Sequence, residues 1–418
     1  MRTALRSSQS NYGRSTGRGT VSSFSTFRYV IIILFFVSFR YFRYFWSITM
    51  PSAFVKPLIL WYNSECRLLP WRETKDPYRI WVSEIMLQQT RVEAVCGYYE
   101  RFLAALPDIE SLAACPEDQL LKLWEGLGYY SRARNLQKAA RLVVEKYGGK
   151  LPDNAGELRK LPGIGEYTAG AVASIAFGKA EPAVDGNVIR VTSRLRAYTG
   201  EVQSSRFKKD LVSWLRDAHD GTDGTWGILN QAFMDLGSMV CTANKSPLCA
   251  ECPISSCCAA FKAGIQDSVP SRAEKKGRRI EDRTVVLYTD GERFAIRRRP
   301  DKGLLSGMYE FPNYEGKLER EEILLAARED GLYALRIRKL PEAKHIFSHV
   351  EWHMTGYEIM ISRNDSKEGK FIFAGKDIIN KQYPIPSAFA AYASAIGIKV
   401  GKNERWTYEN PDSGDSLL

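Results

Sequence analysis

From Pro51 to about Lys262, apolar side chains recur at three- and four-residue intervals, the spacing that gives a helix one buried face. The stretches "DPYRIWVSEIMLQQTRVEAVCGYYERFLAAL", "CPEDQLLKLWEGLGYYSRARNLQKAARLVVEKYG" and "NAGELRKLPGIGEYTAGAVASIAFG" all carry it. Proline and glycine interrupt them, so the pattern predicts several packed helices. Beyond Cys258 the periodicity stops in "SVPSRAEKKGRRIEDR", a charged linker. Strand texture follows: "RTVVLYTDGERFAIRRR" reads as two strands around an Asp290-Gly291 hairpin turn. The pattern therefore predicts a mainly α domain over 50–265, a linker over 266–282, an α+β domain over 283–400 and a frayed tail over 401–418. A chain of 418 residues is long enough for two such domains.

Residues 1–49 follow a different rule. They hold seven arginines, no lysine and no acidic residue, so most of the net charge of +11 resides there and the remainder is only mildly basic. A mildly basic body is compatible with nucleic-acid binding without requiring it. The apolar run Tyr29–Phe39 is about half of the roughly 20 residues a bilayer-spanning helix needs. Three readings of this extension stay open: translation that properly starts at Met50, an organelle-targeting leader, and a membrane anchor. The body itself predicts no stable membrane association.

Two local patterns point to chemistry. In "LPGIG", one residue separates Gly163 from Gly165, a spacing unlike that of nucleotide phosphate loops; the turn reads either as a plain corner or as a backbone cradle for an anion. Five of the eight cysteines crowd into residues 241–258. Cys241, Cys249, Cys252 and Cys258, separated by seven, two and five residues, suit an iron–sulfur cubane, with tetrahedral zinc as the competitor. Cys257 competes with Cys258 as the fourth ligand. Cys66, Cys96 and Cys115 lie scattered in helical segments, like small buried hydrophobes.

Taken together, the helical segments, "LPGIG", "VDGNVIRV" and the cysteine loop resemble the helix-hairpin-helix base-excision glycosylases from Pro51 to about Lys262. The resemblance implies a [4Fe-4S] cluster. It also implies a hairpin at Gly163 and Gly165 that holds a phosphate of double-stranded DNA, with a monovalent cation. The lyase branch of this family carries a lysine two residues after the second hairpin glycine; here that residue is Tyr167, which implies hydrolysis without a Schiff base. "LPWR", "VSEIMLQQT" and "GLGYYSRARN" resemble the MutY-type, adenine-removing branch.

Breaking an adenine N-glycosidic bond produces an oxocarbenium-like sugar and a poor leaving group, so it calls for one carboxyl as acid and another as anion. Glu84 is the candidate acid toward adenine N7, its pKa raised by Val82, Ile85 and Met86. Asp185 is the candidate anion, positioned by Tyr167 and Asn187. Taken singly, Glu84 reads as a solvated helix carboxylate and Asp185 as a helix cap. Gln88, four residues beyond Glu84, would share its helix face and fill the vacated stack. The resemblance further implies that Tyr129 is an aromatic wedge, that Trp71 and Arg72 wall the adenine pocket, and that Gln231 reads adenine. Tyr130 reads as core.

In the second domain, "GLLSGMYEFP" and "HIFSHVEWHM" resemble a nudix-like module in which Phe347, Ser348 and His349 would contact 8-oxoguanine. The acidic motif of a pyrophosphohydrolase is missing, and "REEILLAARED" reads as an ordinary charged helix. His345, His349 and His353 would share one face of a single strand, where a metal site is conceivable. The first cysteine spacing exceeds the usual six by one residue, and the first fifty residues have no counterpart in the family pattern. The implied protein is a monomeric adenine DNA glycosylase acting on adenine opposite 8-oxoguanine or guanine, in the cytoplasm or nucleoid if its source is bacterial, with the extension as an organelle-targeting leader the alternative. A thymine or uracil mismatch glycosylase and a non-catalytic DNA-binding or redox scaffold are the alternatives.

Overall fold

The computed structural model describes residues 52–219, 224–271, 277–362 and 370–400. The extension 1–49, with its apolar run, and the tail 401–418 lie outside the described residues. Among the described residues no helix is long and apolar enough to cross a membrane.

The N-terminal part is helical, as its periodicity predicts. In chain order come α1 (Val55–Glu65), α2 (Pro77–Leu87), α3 (Val92–Ala105), α4 (Ile109–Ala114), α5 (Glu117–Leu123), α6 (Ser131–Tyr147), α7 (Ala155–Leu158), α8 (Glu166–Phe177), α9 (Gly186–Leu195), α10 (Ser205–Ala218), α11 (Trp226–Met239) and α12 (Ala259–Lys262). Local chemistry sets the boundaries. Asp76 caps α2 by accepting from the Tyr78 and Arg79 amides, with Pro77 at the first helical position, where its missing N–H costs nothing. Asp185 caps α9 in the same way through the Val188 amide.

Two apolar cores form. One lies beneath α2 to α8 and includes Trp81, Phe102 and Trp124; the other joins α1, α9, α10 and α11 around Phe207, Trp226 and Phe233. The interior side chains bury completely, at roughly 1.5–3 kcal/mol each on transfer from water. The groove between the cores receives the C-terminal half of α2, the start of α8, the cap of α9 and one face of α11.

The C-terminal part is α+β, as predicted, but its first strand starts before the expected boundary. Strand β1 (Arg279–Thr289) runs parallel to β6 (Val350–Ile361) and antiparallel to β2 (Arg293–Arg298) and β4 (Asn313–Glu315). Strands β3 (Tyr309–Glu310), β5 (Ala334–Ile346) and β7 (Ile372–Gly375) complete the sheet, and α13 (Arg320–Glu329) and α14 (Lys376–Gln382) cover it. The Asp290-Gly291 turn joins β1 to β2 as expected, with Gly291 at a φ of 98° and the Asp290 carboxylate accepting from the Glu292 and Arg293 amides.

The expected histidine face is absent. β5 ends at Ile346 and β6 begins at Val350, so His349 sits in the turn between them. His345 lies opposite Trp352 and Lys344 opposite His353, so His345 and His353 point to opposite sides of the hairpin. A single-strand reading missed the reversal of the chain.

Candidate active site

The catalytic candidates meet in the groove between the two cores. Trp71, Arg72, Glu84, Tyr167, Asp185, Asn187 and Gln231 all line one cleft of about 180 Å³, and no lysine lines it among the described residues. Glu84 opens the last turn of α2 and is only 5% exposed. Burial pushes its carboxyl from 4.5 up to about 7, reinforced by the nearby Asp185 charge and opposed by Arg72 and by the Tyr167 hydroxyl, which donates to Oε2 at 2.7 Å. Val82, Ile85 and Met86, the apolar neighbours named from the sequence, are all buried but do not line the cleft; Leu69, Trp71, Ile80 and Leu87 are among the apolar side chains that line it with Glu84.

Asp185 is both a helix cap and a cleft residue. Burial raises its carboxyl as well, but donors oppose the shift: the Val188 amide at 2.8 Å on Oδ1 and the Asn187 side-chain amide at 2.8 Å on Oδ2. Asn187 is itself held, since its Oδ1 accepts from Arg190 at 2.8 Å while Arg190 also donates to the carbonyls of Gly237 and Cys241. Gly237 makes this packing possible: a Cβ there would lie 2.6 Å from the Asn187 Cβ. The two carboxyls therefore sit in unlike surroundings. Glu84 has one donor and an apolar wall; Asp185 has a backbone amide, a side-chain amide and an arginine behind them.

Trp71 is buried edge-on against Tyr99, with ring centroids 5.4 Å apart. Arg72 turns to Asp235, a fully buried carboxylate on α11 that accepts from Arg72 at 2.6 and 2.9 Å and from Arg67 at 2.9 Å. Burial works against this charge, yet the two guanidiniums hold the Asp235 carboxyl below the ordinary aspartate range. Gln231, one turn before Asp235, faces the same cleft. The sequence reading stopped at Gln231; the four-residue step to Asp235 and the first arginine of "RLLPWR" were the signals for Asp235 and Arg67.

Helix α2 ends at Leu87, with Gln88 as its C-cap; the Gln88 side-chain amide is half-buried and donates to Thr168 Oγ1 at 3.2 Å. The following residue, Gln89, is exposed and sits at a φ of 57°. Tyr129 is 45% exposed at a φ of 46°, and Tyr130 is buried, as expected.

The hairpin and the nudix-like turn lie outside this cleft. Gly163 adopts a φ of 80°, and a Cβ there would press 2.8 Å from Asn135 Cβ, whereas a Cβ on Gly165 would meet nothing within 4 Å. Gly165 caps α8, leaving open space before the first-turn amides. Phe347 packs on His345 and Trp352, while Ser348 and His349 are exposed. The Tyr129 and Ser348 hydroxyls are 2.7 Å apart. Around them the two domains are joined by Asp118 with the Tyr309 hydroxyl, Lys122 with the Tyr383 carbonyl, Glu125 with the Ile385 amide and Arg134 with the Ser306 carbonyl.

Cys241, Cys249, Cys252 and Cys258 line one apolar cavity with Val191, Leu195 and Ile254. Cys257 is not among its lining residues and donates to the Ile254 carbonyl, which separates it from Cys258. Among the described residues no three Cys, His or carboxylate side chains are grouped to hold a single ion. Four thiols around one cavity are the donor set that a cubane, with one sulfur to each iron, would take. Arg194 donates to Cys241 Sγ at 3.2 Å and to the Thr242 carbonyl, so α9 runs from Asp185 at one end to this loop at the other.

Comparison with known proteins agrees with this geometry. Residues 82–217 match the HhH-GPD superfamily of base excision DNA repair proteins, and residues 283–395 match the NUDIX domain. The adenine DNA glycosylase of Homo sapiens is 35% identical over 72% of this chain, which spans 65% of that protein. For that of Mus musculus the figures are 35%, 75% and 71%, and for that of Buchnera aphidicola (Schizaphis graminum) 31%, 76% and 92%. The fold, the cleft and these likenesses agree: the chain belongs to the adenine DNA glycosylase family.

Proposed function

We propose that this chain hydrolyses the N-glycosidic bond of adenine opposite 8-oxoguanine or guanine in double-stranded DNA, and does so without a covalent amine intermediate. The pairing of two buried carboxyls with unlike hydrogen-bond surroundings in one cleft carries this reading. Glu84 holds its proton to about pH 7 and passes it to adenine N7 as the C1′–N9 bond breaks. The bonding pair leaves with the base, and the cationic sugar faces Asp185, kept anionic by Val188, Asn187 and Arg190. Water then adds to C1′ and releases a proton, leaving an abasic strand. Tyr167 orients Glu84, and the absence of a cleft lysine among the described residues is consistent with hydrolysis. The thymine or uracil alternative is not favoured by relatives that are adenine DNA glycosylases.

Trp71, Arg72 and Gln231 form the base pocket, with Asp235 and Arg67 fixing Arg72. Gln89 in place of Gln88, together with Tyr129, enters the duplex when the base leaves the stack. Phe347, Ser348 and His349 read the opposing lesion. The Gly163–Gly165 hairpin offers its amides to a phosphate, with a monovalent cation beside them. Cys241, Cys249, Cys252 and Cys258 would hold a [4Fe-4S] cluster, which when bound would tie the segments of the cysteine loop to one another beside Arg194 of α9. The enzyme acts as a monomer.

The test is single-turnover release from a duplex with one adenine opposite 8-oxoguanine, beside a G·C control. Rapid adenine release with a strand that breaks only on alkali treatment is the expected result. Tight binding without release would instead identify a non-catalytic scaffold.

A further inference from the structure

Two non-glycine residues, Gln89 and Tyr129, hold left-handed backbone conformations that their side chains disfavour. They are 40 positions apart in sequence and belong to different turns, yet one side chain is bonded to both turns. Arg132, on the first turn of α6, is 8% exposed. Its Nη1 donates to the carbonyls of Ile85 (2.9 Å), Met86 (2.8 Å) and Gln88 (2.6 Å). Its Nη2 donates to Thr90 Oγ1 (3.1 Å) and to the carbonyls of Leu127 (3.0 Å) and Gly128 (3.1 Å). The Tyr129 ring lies 5.6 Å from the guanidinium carbon, and the Trp124 ring 5.4 Å from it.

We propose that Arg132 is a positioning residue that sets Gln89 and Tyr129 as one unit, so that both side chains enter the duplex together when adenine is extracted. The proposal rests on the glycosylase reading above. Its physical basis is the fork of the guanidinium. The buried cation satisfies the carbonyl end of α2, where the helix dipole favours positive charge, and the same plane reaches the turn that precedes α6. Its hydrogen-bond partners are carbonyls and a hydroxyl, so the cation orders backbone where a carboxylate partner would have neutralised it. Each turn keeps its strained residue because the surrounding bonds over-determine it. A lysine ammonium has one donor centre and cannot span both turns with this geometry.

The test is a double-mutant cycle on the full chain: wild type, Arg132→Lys, the pair Gln89→Ala with Tyr129→Ala, and the triple variant. Two rates are read. One is stopped-flow fluorescence of a 2-aminopurine next to the target adenine, reporting extrusion; the other is single-turnover adenine release. Arg132→Lys is expected to slow both by about 10- to 100-fold, yet by less than about twofold in the background lacking both wedge side chains. The pH midpoint set by Glu84 is expected to stay where it is in wild type, as a merely structural loss would not leave it. Thr90→Val, which removes one acceptor on Nη2 and leaves the arginine in place, should show a smaller slowing with the same dependence on the wedges. This second variant keeps the test decisive if Arg132→Lys does not fold. Losses that multiply undiminished in the wedge-free background, or a moved pH midpoint, would overturn the proposal. A wild type that neither extrudes nor releases adenine would overturn the glycosylase reading with it, whereas an active wild type with fully additive losses would remove only the role of Arg132.

Discussion

Replacing Glu84 by glutamine separates its catalytic role from its cost to the fold. The carboxyl is held at about 7 in the folded chain against 4.5 in the unfolded one, chiefly by burial. Between those values the folded state binds the extra proton, so stability falls as pH rises; above about 7 both states are ionised and the full penalty persists. The shift corresponds to roughly 3 kcal/mol at about 1.4 kcal/mol per pKa unit. Glutamine keeps the shape and an oxygen for the Tyr167 hydroxyl but carries no charge to desolvate. Urea unfolding of wild type and Glu84→Gln at about pH 5 and about pH 8.5 should therefore show the variant gaining stability relative to wild type by up to roughly 3 kcal/mol as the pH is raised. Asp185, also raised by burial, contributes a slope of the same sign to both proteins, changed in the variant only by the loss of its repulsion with Glu84. Catalysis must move the other way. Adenine release by wild type should fall about tenfold per pH unit above about 7, and the variant should be slower by about 10²–10⁴-fold and lack that limb. A wild-type rate that stays level well above pH 7, or a variant whose stability gain is the same at both pH values, would refute the assignment of a buried, protonated acid.

The other expectations are narrower. Tyr167→Phe removes the donor that favours the Glu84 carboxylate, so the alkaline limb of the release rate should move to higher pH; a move to lower pH would show that Tyr167 acts otherwise. Gly237→Ala brings a Cβ against Asn187 and should loosen its bond to Asp185, slowing release by about 10- to 100-fold in single turnover with little change in DNA affinity. Asp235→Asn leaves two guanidiniums facing a neutral amide in a buried site and should cost about 3 kcal/mol in urea unfolding; a loss below roughly 1 kcal/mol would mean the Arg67–Asp235–Arg72 group is not integral to the fold. Iron and sulfide content should drop in Cys258→Ser and stay at the wild-type level in Cys257→Ser, since Cys258 faces the cavity and Cys257 does not.

The helical half was legible because its buried faces repeat at the helical period, and Glu84, Tyr167 and Asp185 were legible because their spacing matched a known constellation. What escaped lies where a helix stops. The step from Glu84 to Gln88 assumes continued helix, but α2 ends at Leu87 and the next turn throws Gln89 outward instead. Asp185 looked like either a cap or a catalytic anion; it caps α9 and also lines the cleft, because the bond that caps the helix holds the carboxylate at its edge. Asp235 was hidden for a different reason. One aspartate in an apolar helix is indistinguishable from a solvated residue until two arginines from a distant loop are seen to converge on it. The histidine pattern misled because i, i+4, i+8 spacing has no meaning across a hairpin reversal.

The contact between Tyr129 and Ser348 bears on how a lesion on one strand can govern chemistry on the other. Ser348 lies in the β5–β6 turn and Tyr129 precedes α6, so their hydroxyl pair joins the two domains at the proposed wedge. The supporting bonds from Asp118, Lys122, Glu125 and Arg134 are polar and directional, and Glu125 is buried, its carboxyl raised by burial and steadied by Lys122 and the Ile385 amide. Such contacts hold one relative placement far better than an apolar patch of equal area, because a small displacement forfeits the bonds while the burial cost remains. If Ser348 engages 8-oxoguanine, it must exchange its bond to Tyr129 for one to the base, and that exchange changes what holds the wedge. Recognition of the lesion would thereby be felt at Tyr129, at the guanidinium its ring faces, and through the Ile85, Met86 and Gln88 carbonyls at the end of the helix that carries Glu84.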